Sequence, residues 1–313
     1  MIRFQEGSYA LTILLRIAIA GEFPFKSLHM IGDNKIIAQR TVRKLKEEKY
    51  ITINGSSDMK TIRLTKKALD VIKDYNKSYY DYYMIISDNH HFRAGTYKEN
   101  NLGARQTRRR HRMAEVCCLL DDLGILLWPD EKPKLSLNSK DARITPEEFL
   151  FFSSKELKNL SPEEKKKYEW TRIMGALYSP GGVYCVYNID KAVIKWHQQG
   201  EHKARVYVQD ITQMNYDYSY GFEPEINNSI FFGKNNNSIL DILNPKFIKE
   251  DKLGYELLSF KNAYDNIYYI TLDNNGIKQL AIMHDCSVST IHAIVKDLDV
   301  DLRKKSTSNK TKK

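Results

Sequence analysis

Residues 37–64 constrain the fold of this chain most, because a helical pattern there is followed directly by two alternating ones. Residues 50–53 alternate as a strand, residues 54–58 favour a turn, and residues 60–64 predict a second strand. The segment therefore predicts a helix followed by a β-hairpin. The apolar residues at helical spacing, which predict the buried face of that helix, are Ile37, Ala38, Val42 and Leu45.

Two further helices are predicted before this segment. Residues 10–20 have an apolar helical pattern, and residues 25–31 favour a short second helix that ends at Gly32 and Asp33. Helices followed by a strand, a turn and a strand outline a winged helix-turn-helix. We expect this domain to occupy residues 1–76.

The remaining face of the predicted helix carries cations and hydrogen-bonding groups. A helix with one apolar and one cationic face fits the major groove of DNA, and residues 54–60 of the wing would lie near the backbone or the minor groove. Double-stranded DNA is therefore the predicted partner. The residues expected to contact it are Gln39, Arg40, Thr41, Arg43, Lys44, Lys46 and Lys60.

Residues 41–51 and 63–67 together resemble the winged-helix start of many bacterial DNA-binding proteins. With the order of its other segments, the chain resembles the plasmid replication-relaxation family of plasmids and integrative conjugative elements in Gram-positive bacteria. The resemblance implies a role in replication, relaxation or mobilisation, with a relaxase or replication initiator as a candidate partner. Related wings usually have Gly where this chain has Lys49. Because Lys adopts a positive φ only at some cost, a differently shaped turn is expected.

The composition agrees with an anionic partner. The chain has 313 residues, with 49 Lys and Arg against 39 Asp and Glu and a formal net charge of +10. Nucleic acid is the commonest partner of such a chain, although a solvated basic surface would give the same figure. No run predicts a membrane span or a signal peptide, and a cytoplasmic location is expected. The cysteines lack zinc-site spacing and are interpreted as reduced, buried thiols: Cys117, Cys118, Cys185 and Cys286.

A second basic element is the run of five arginines within residues 105–112, directly before an apolar helical pattern. Cations at a helix N-terminus oppose the helix dipole, so the run has no intrinsic stabilising role there. Backbone phosphate is the natural partner, and a solvated charge run is the alternative. The expected phosphate contacts are Arg105, Arg108, Arg109 and Arg110.

The overall prediction is an α+β protein, in which the winged helix-turn-helix domain is followed by a larger α/β domain with a central sheet. Residues 77–170 are predicted to form a helical connecting region that includes the basic helix start. Residues 171–300 form the second domain, and residues 301–313 a disordered basic tail. Apolar positions in residues 66–72 would pack within the domain or form a homodimer contact.

One constellation in the second domain has the residue types of a metal-dependent nuclease. The carboxylates of Asp190 and Glu201 would hold magnesium, and Lys203 would help to orient or deprotonate the attacking water. The alternative is that Glu201 begins a helix and Asp190 occupies a turn. No other cofactor or metal is predicted. The tyrosines of residues 75–83, followed by His90 and His91, are interpreted as aromatic packing rather than a nucleophile site.

Three functions remain open from the sequence. The first is a DNA-binding module that positions a relaxase or an initiator. The second is a nicking enzyme that uses Asp190, Glu201 and Lys203. The third is a transcription regulator whose second domain senses a ligand or oligomerises.

Overall fold

The computed structural model describes ten ranges of the chain, which divides into two units, Met1–Pro133 and Lys134–Lys313. Both contain helices and strands, which confirms the predicted α+β composition. The prediction of a disordered basic tail at residues 301–313 lies outside the described residues. The described ranges are residues 2–31, 34–86, 104–137, 143–160, 173–180, 182–188, 198–221, 223–224, 228–233 and 266–271.

The first unit contains the helices and the hairpin predicted for residues 10–64, in the predicted order. The second predicted helix is a 3-10 helix, and one short strand, β1, was not predicted. The elements are α1 (Tyr9–Ala20), β1 (Phe23–Pro24), the 3-10 helix Phe25–Met30, α2 (Lys35–Glu47), β2 (Ile51–Asn54), the 3-10 helix Ser57–Met59, β3 (Thr61–Leu64), α3 (Lys66–Tyr75), α4 (Lys77–Ile86) and α5 (Ala104–Asp122).

The strands of the first unit form a small antiparallel sheet in the order β1-β3-β2. The hairpin register pairs Ile51 with Leu64 and Asn54 with Thr61. On the other side of β3, Phe23 pairs with Ile62. The central strand β3 is therefore hydrogen-bonded on both sides, and all four of its residues are buried.

The core of the first unit forms around α1 and α5. Helix α1 begins at Ser8, whose hydroxyl accepts a hydrogen bond from the amide of Leu11, and it ends at Gly21 with φ of 83°. Ile13, Leu14 and Ile17 on α1 are completely buried. Arg16 donates to the carbonyl of Cys118 at 3.0 Å and lies 2.7–2.8 Å from the carboxylates of Asp121 and Asp122. This cation lies at the C-terminus of α5, where it also complements the helix dipole.

The tyrosine-rich segment packs as an aromatic cluster. Tyr79 on α4 stacks on Trp128, with ring centroids 3.9 Å apart, and Tyr82 meets the same indole edge-on. The Tyr79 hydroxyl donates to Glu131 at 3.5 Å, and burial is the main reason that its pKa lies above its ordinary value. A buried phenol with a raised pKa is a poor nucleophile, in agreement with the packing interpretation.

The second unit contains a five-stranded sheet in the order β4-β5-β6-β7-β8. β4, β5 and β6 are antiparallel, whereas β7 is parallel to β6 and to β8. Helix α7 connects β6 to β7, because a parallel pair requires a crossover. The elements are β4 (Leu150–Ser153), α6 (Ser154–Asn159), β5 (Gly175–Ser179), β6 (Gly182–Asn188), α7 (Gln198–Asn215), β7 (Asn228–Gly233) and β8 (Asn266–Thr271).

The connecting region predicted for residues 77–170 is not helical throughout. Its helices α4 and α5 belong to the first unit, whereas β4 and α6 belong to the second. Thr145 and Pro146 have the residue types of a helix start, yet the chain makes a turn there, in which the Thr145 amide donates to Glu148 at 2.8 Å. The aromatic run that follows pairs with β5, so sheet formation overrides the helical signal.

Cys117, Cys118 and Cys185 are free thiols and are buried, as predicted. Burial raises the pKa of Cys118 to about 12. Cys286 lies outside the described residues. Among the helices of the described ranges, none is long and apolar enough to cross a membrane.

The turn from α2 into β2 uses a left-handed residue that is not glycine. Lys49 has φ of 62°, the conformation that a glycine would adopt there, so the expectation of a differently shaped turn is wrong. The Tyr50 amide donates to the Leu45 carbonyl at 2.9 Å, and the Lys49 amide donates to the Lys46 carbonyl at 3.0 Å. This pair of bonds is the Schellman arrangement, which satisfies the last carbonyls of the helix and requires the positive φ.

We predict that Lys49→Gly stabilises the protein. Glycine adopts a positive φ without the Cβ strain that a side chain meets, which stabilises the folded state. The greater flexibility of glycine in the unfolded state offsets part of this stabilisation. The free energy of unfolding should therefore rise by about 0.5–1 kcal/mol. The matched control is Glu47→Gly, which lies in the last turn of α2 and should lower stability by about 1 kcal/mol. Urea denaturation measures both; equal losses in the two variants would contradict the strain at Lys49.

Candidate nucleic-acid interface

Helix α2 is oriented by a capped start and a narrow apolar seam. The Asn34 side chain accepts hydrogen bonds from the amides of Ile36 and Ile37, at 3.0 and 3.2 Å. Both amides belong to the first turn, where no intrahelical acceptor exists. The core seam consists of Ala38, Val42 and Leu45, which are at most 1% exposed.

The opposite side of α2 faces solvent. The helix contains five cationic residues and one acidic residue, Glu47, near its end. Positions spaced by three, four and seven residues share a helix face, so Gln39, Arg40 and Arg43 present one continuous surface. Of the predicted DNA contacts on α2, Thr41 is half-buried, and the exposed ones are Gln39, Arg40, Arg43, Lys44 and Lys46.

One residue of the predicted apolar face does not lie on it. Ile37 is 44% exposed, and its neighbour Ile36 is 61% exposed. The residues at 38, 42 and 45 are spaced by four and three, which defines a single seam along the helix. Ile37 precedes the first of them by one position, about 100° around the axis, so it leaves the core.

The hairpin turn has a conformation that requires glycine at one position. Gly55 has φ of 78°, and a Cβ there would come within 2.5 Å of the Met59 carbonyl oxygen. Lys60, the predicted wing contact, is half-buried, and its Nζ lies 4.1 Å from the centroid of the Phe25 ring. This cation–π contact fixes the ammonium group where the hairpin turn meets the 3-10 helix.

The arginine side chains on α5 lie in different environments. Arg108 is exposed and Arg109 is half-buried. The side chain of Arg105 lies outside the described residues. Arg110 points into the protein, where its Nη1 donates to Glu22 Oε1 at 3.1 Å.

Glu22 is the centre of a buried ionic cluster. Its carboxylate is 1% exposed, and it pairs with Arg63 as well as with Arg110, each at 3.1 Å. The Thr61 hydroxyl donates to the second carboxylate oxygen at 3.1 Å. A separate bond joins Ser27 to Glu115 on α5 at 2.7 Å. These contacts attach α5 to β3 and to the 3-10 helix before α2.

The cluster corrects one predicted DNA contact. Arg110 was expected to bind phosphate because a cation at a helix N-terminus opposes the helix dipole and has no intrinsic stabilising role there. Its partner Glu22 lies 88 positions away in the sequence. Since a guanidinium paired with a buried carboxylate is not available to phosphate, Arg110 has a structural role here.

A buried histidine lies next to this cluster. His111 is 5% exposed, and its Nε2 has no hydrogen-bond partner among the described residues. Burial, together with the positive charges of Lys26 and Arg63, lowers its pKa to about 4. His111 is therefore neutral in the folded protein at neutral pH.

The nuclease constellation is described only in part. Glu201 and Lys203 belong to helix α7, and Lys203 is exposed. The side chain of Glu201 lies outside the described residues. Asp190, like His90 and His91, lies outside the described residues. Within the described ranges, no three His, Cys, Asp or Glu residues could hold a metal ion together.

Comparison with known proteins does not identify a family for this chain. No family model matches the chain, and no curated protein or solved structure matches it.

We predict that Arg110→Ala and Arg108→Ala affect different properties. Arg110→Ala removes one of two cations from a buried carboxylate and should lower the free energy of unfolding by about 1–3 kcal/mol. Arg108→Ala removes an exposed charge of the same type and should change stability by less than about 0.5 kcal/mol. Thermal and urea unfolding measure both; a neutral Arg110→Ala would contradict the proposed role of the Glu22 cluster.

His111 should make stability depend on pH below neutrality. The pKa of His111 is about 4 in the folded state and 6.5 in the unfolded state. Between pH 4 and pH 6.5, the unfolded state therefore binds a proton at this residue and the folded state does not. The free energy of unfolding should therefore fall as pH decreases from 6.5 towards 4, by at most about 1.4 kcal/mol per pH unit from this group. His111→Gln, neutral at all pH values, should flatten the profile between pH 7 and 5, and parallel profiles for the two proteins would refute the assignment.

Proposed function

We propose that residues 1–76 form a winged helix-turn-helix domain that binds double-stranded DNA, with α2 as the recognition helix. One observation carries the proposal: α2 buries its apolar seam and exposes its cations and Gln39 on the other side. A helix of this kind fits the major groove, where arginine and glutamine side chains pair with base edges. The sheet order β1-β3-β2, with a hairpin directly after this helix, also supports a winged helix.

The contacts proposed for the interface follow the exposure of the side chains. Gln39, Arg40 and Arg43 would contact base edges, because they share the exposed face of α2. Lys44, Lys46 and the wing residue Lys60 would contact phosphates on either side of the groove, and Arg108 on α5 would extend the cationic surface.

We further propose that the protein acts in the cytoplasm for a mobile genetic element. It would support replication, relaxation or mobilisation of a plasmid or conjugative element, as the resemblance to the replication-relaxation family implies. A relaxase or replication initiator is the proposed protein partner. Crosslinking and sequencing of the DNA bound in cells tests this role: recovery of an origin of replication or transfer supports it, and recovery of promoters alone would instead indicate a transcription regulator.

The proposal predicts the effect of Arg43→Ala on DNA binding. If Arg43 contacts a guanine edge, the variant should bind a selected duplex more weakly by about 1–3 kcal/mol and random duplex almost unchanged. Fluorescence anisotropy at several salt concentrations measures both affinities. Lys73→Ala on α3 removes an equal charge outside the proposed interface and is the control.

The two possible failures of this test have different meanings. Equal losses on selected and random duplexes would make Arg43 a phosphate contact and leave the DNA-binding role in place. An unchanged affinity for both duplexes would remove Arg43 from the interface.

A further inference from the structure

Two isoleucines at the start of α2 leave much of their side chains exposed to solvent. Ile36 is the most exposed large hydrophobic side chain among the described residues, at 61%, and Ile37 is exposed by 44%. Exposing aliphatic side chains of this size forgoes the stabilisation that their burial would give. Isoleucine is also a weaker helix former than the Ala or Glu that suit an exposed first turn.

Both side chains lie next to the cations of the proposed recognition surface. Ile36 precedes Gln39, Arg40 and Arg43 by three, four and seven positions, so all four share one face of α2. The face is therefore apolar in the first turn and cationic in the following two. The amides of Ile36 and Ile37 already donate to Asn34, so the isoleucines offer only their side chains to a ligand.

We infer that Ile36 and Ile37 contact the C5-methyl groups of thymines in the major groove. The inference rests on the proposed function and narrows its substrate to duplex DNA with thymine beneath the first turn of α2. Thymine is the base that presents an apolar group in this groove, and N-terminal residues of a recognition helix contact base edges. The branched side chain of isoleucine is stiff at χ1, so it loses little freedom on contact.

A second copy of the chain is a less suitable occupant of this patch. The residues that adjoin the isoleucines on the same face include Arg40 and Arg43, both exposed. A symmetric contact through the patch would bring these cations of one copy close to those of the other, which is unfavourable. Duplex DNA, which carries thymine methyl groups between its two phosphate strands, complements both the apolar and the cationic part of this face.

The test compares thymine with deoxyuridine, which lacks only the methyl group. A duplex library with a random centre is first enriched for binding to the full-length protein. The enriched pool is then amplified with either thymidine or deoxyuridine triphosphate, and the affinity of each pool is measured. The wild type should bind the deoxyuridine pool about fourfold more weakly for each methyl contacted, or about 15-fold for two.

Variants assign this difference to the isoleucines. The double variant Ile36→Ala, Ile37→Ala changes exposed residues and should remain folded. It should bind both pools equally, with an affinity close to that of the wild type for deoxyuridine DNA and an unchanged salt dependence. Ile85→Ala replaces an isoleucine of similar exposure, 43%, on α4 and should retain the wild-type preference.

The possible failures can be told apart. Three outcomes would overturn the thymine contact and leave DNA binding intact. The wild type could bind the two pools with equal affinity, the library could bind without being enriched, or the double variant could keep the preference for thymine. A change in the sedimentation of the double variant, with its thymine preference unchanged, would assign the patch to self-association. Failure of the wild type to bind any duplex at low ionic strength would overturn the proposed function and this inference with it.

Discussion

The buried carboxylate of Glu22 holds three segments of the first unit in one arrangement. It lies between α1 and β1 and pairs with Arg63 on β3 and Arg110 on α5, each at 3.1 Å. Transferring these charges out of water is unfavourable unless each remains paired, so the cluster tolerates little displacement of any one element. Its contribution is therefore to favour one packing of α5 against the hairpin, more than to add a large net stabilisation.

This cluster also determines which cations reach the surface. The formal charge of +10 counts every arginine equally, although Arg63 and Arg110 are both paired with Glu22 inside the first unit. The cations of α2 are exposed instead, because its seam at 38, 42 and 45 is turned towards the core. A net positive charge thus indicates an anionic partner in general, and burial decides which residues could meet it.

Local periodicity was sufficient to predict α1, α2 and the two strands of the hairpin in their order, because apolar residues recur there at helical or alternating spacing. Contacts distant in sequence were not predictable in this way. The partner of Arg110 lies 88 positions away, and the two residues of β1 are too few to show an alternating pattern. Ile37 was placed on the wrong face because four apolar residues satisfied the helical spacing, although three formed the seam.

The turn at Lys49 shows why a missing glycine need not change a fold. The two backbone bonds that end α2 require a positive φ, and they form with lysine at some cost in strain. Thr65 reinforces the turn through its side chain and its backbone. Its hydroxyl lies 2.8 Å from the Lys49 carbonyl oxygen and 2.9 Å from the Tyr50 carbonyl oxygen. The Thr65 amide also donates to the Tyr50 carbonyl. The end of β3 is thereby bonded to the end of α2. Since the hairpin is thus attached to the helix at its base, the exposed face of α2 and the hairpin turn are held in a fixed relation, which the proposed contact of both with one duplex requires.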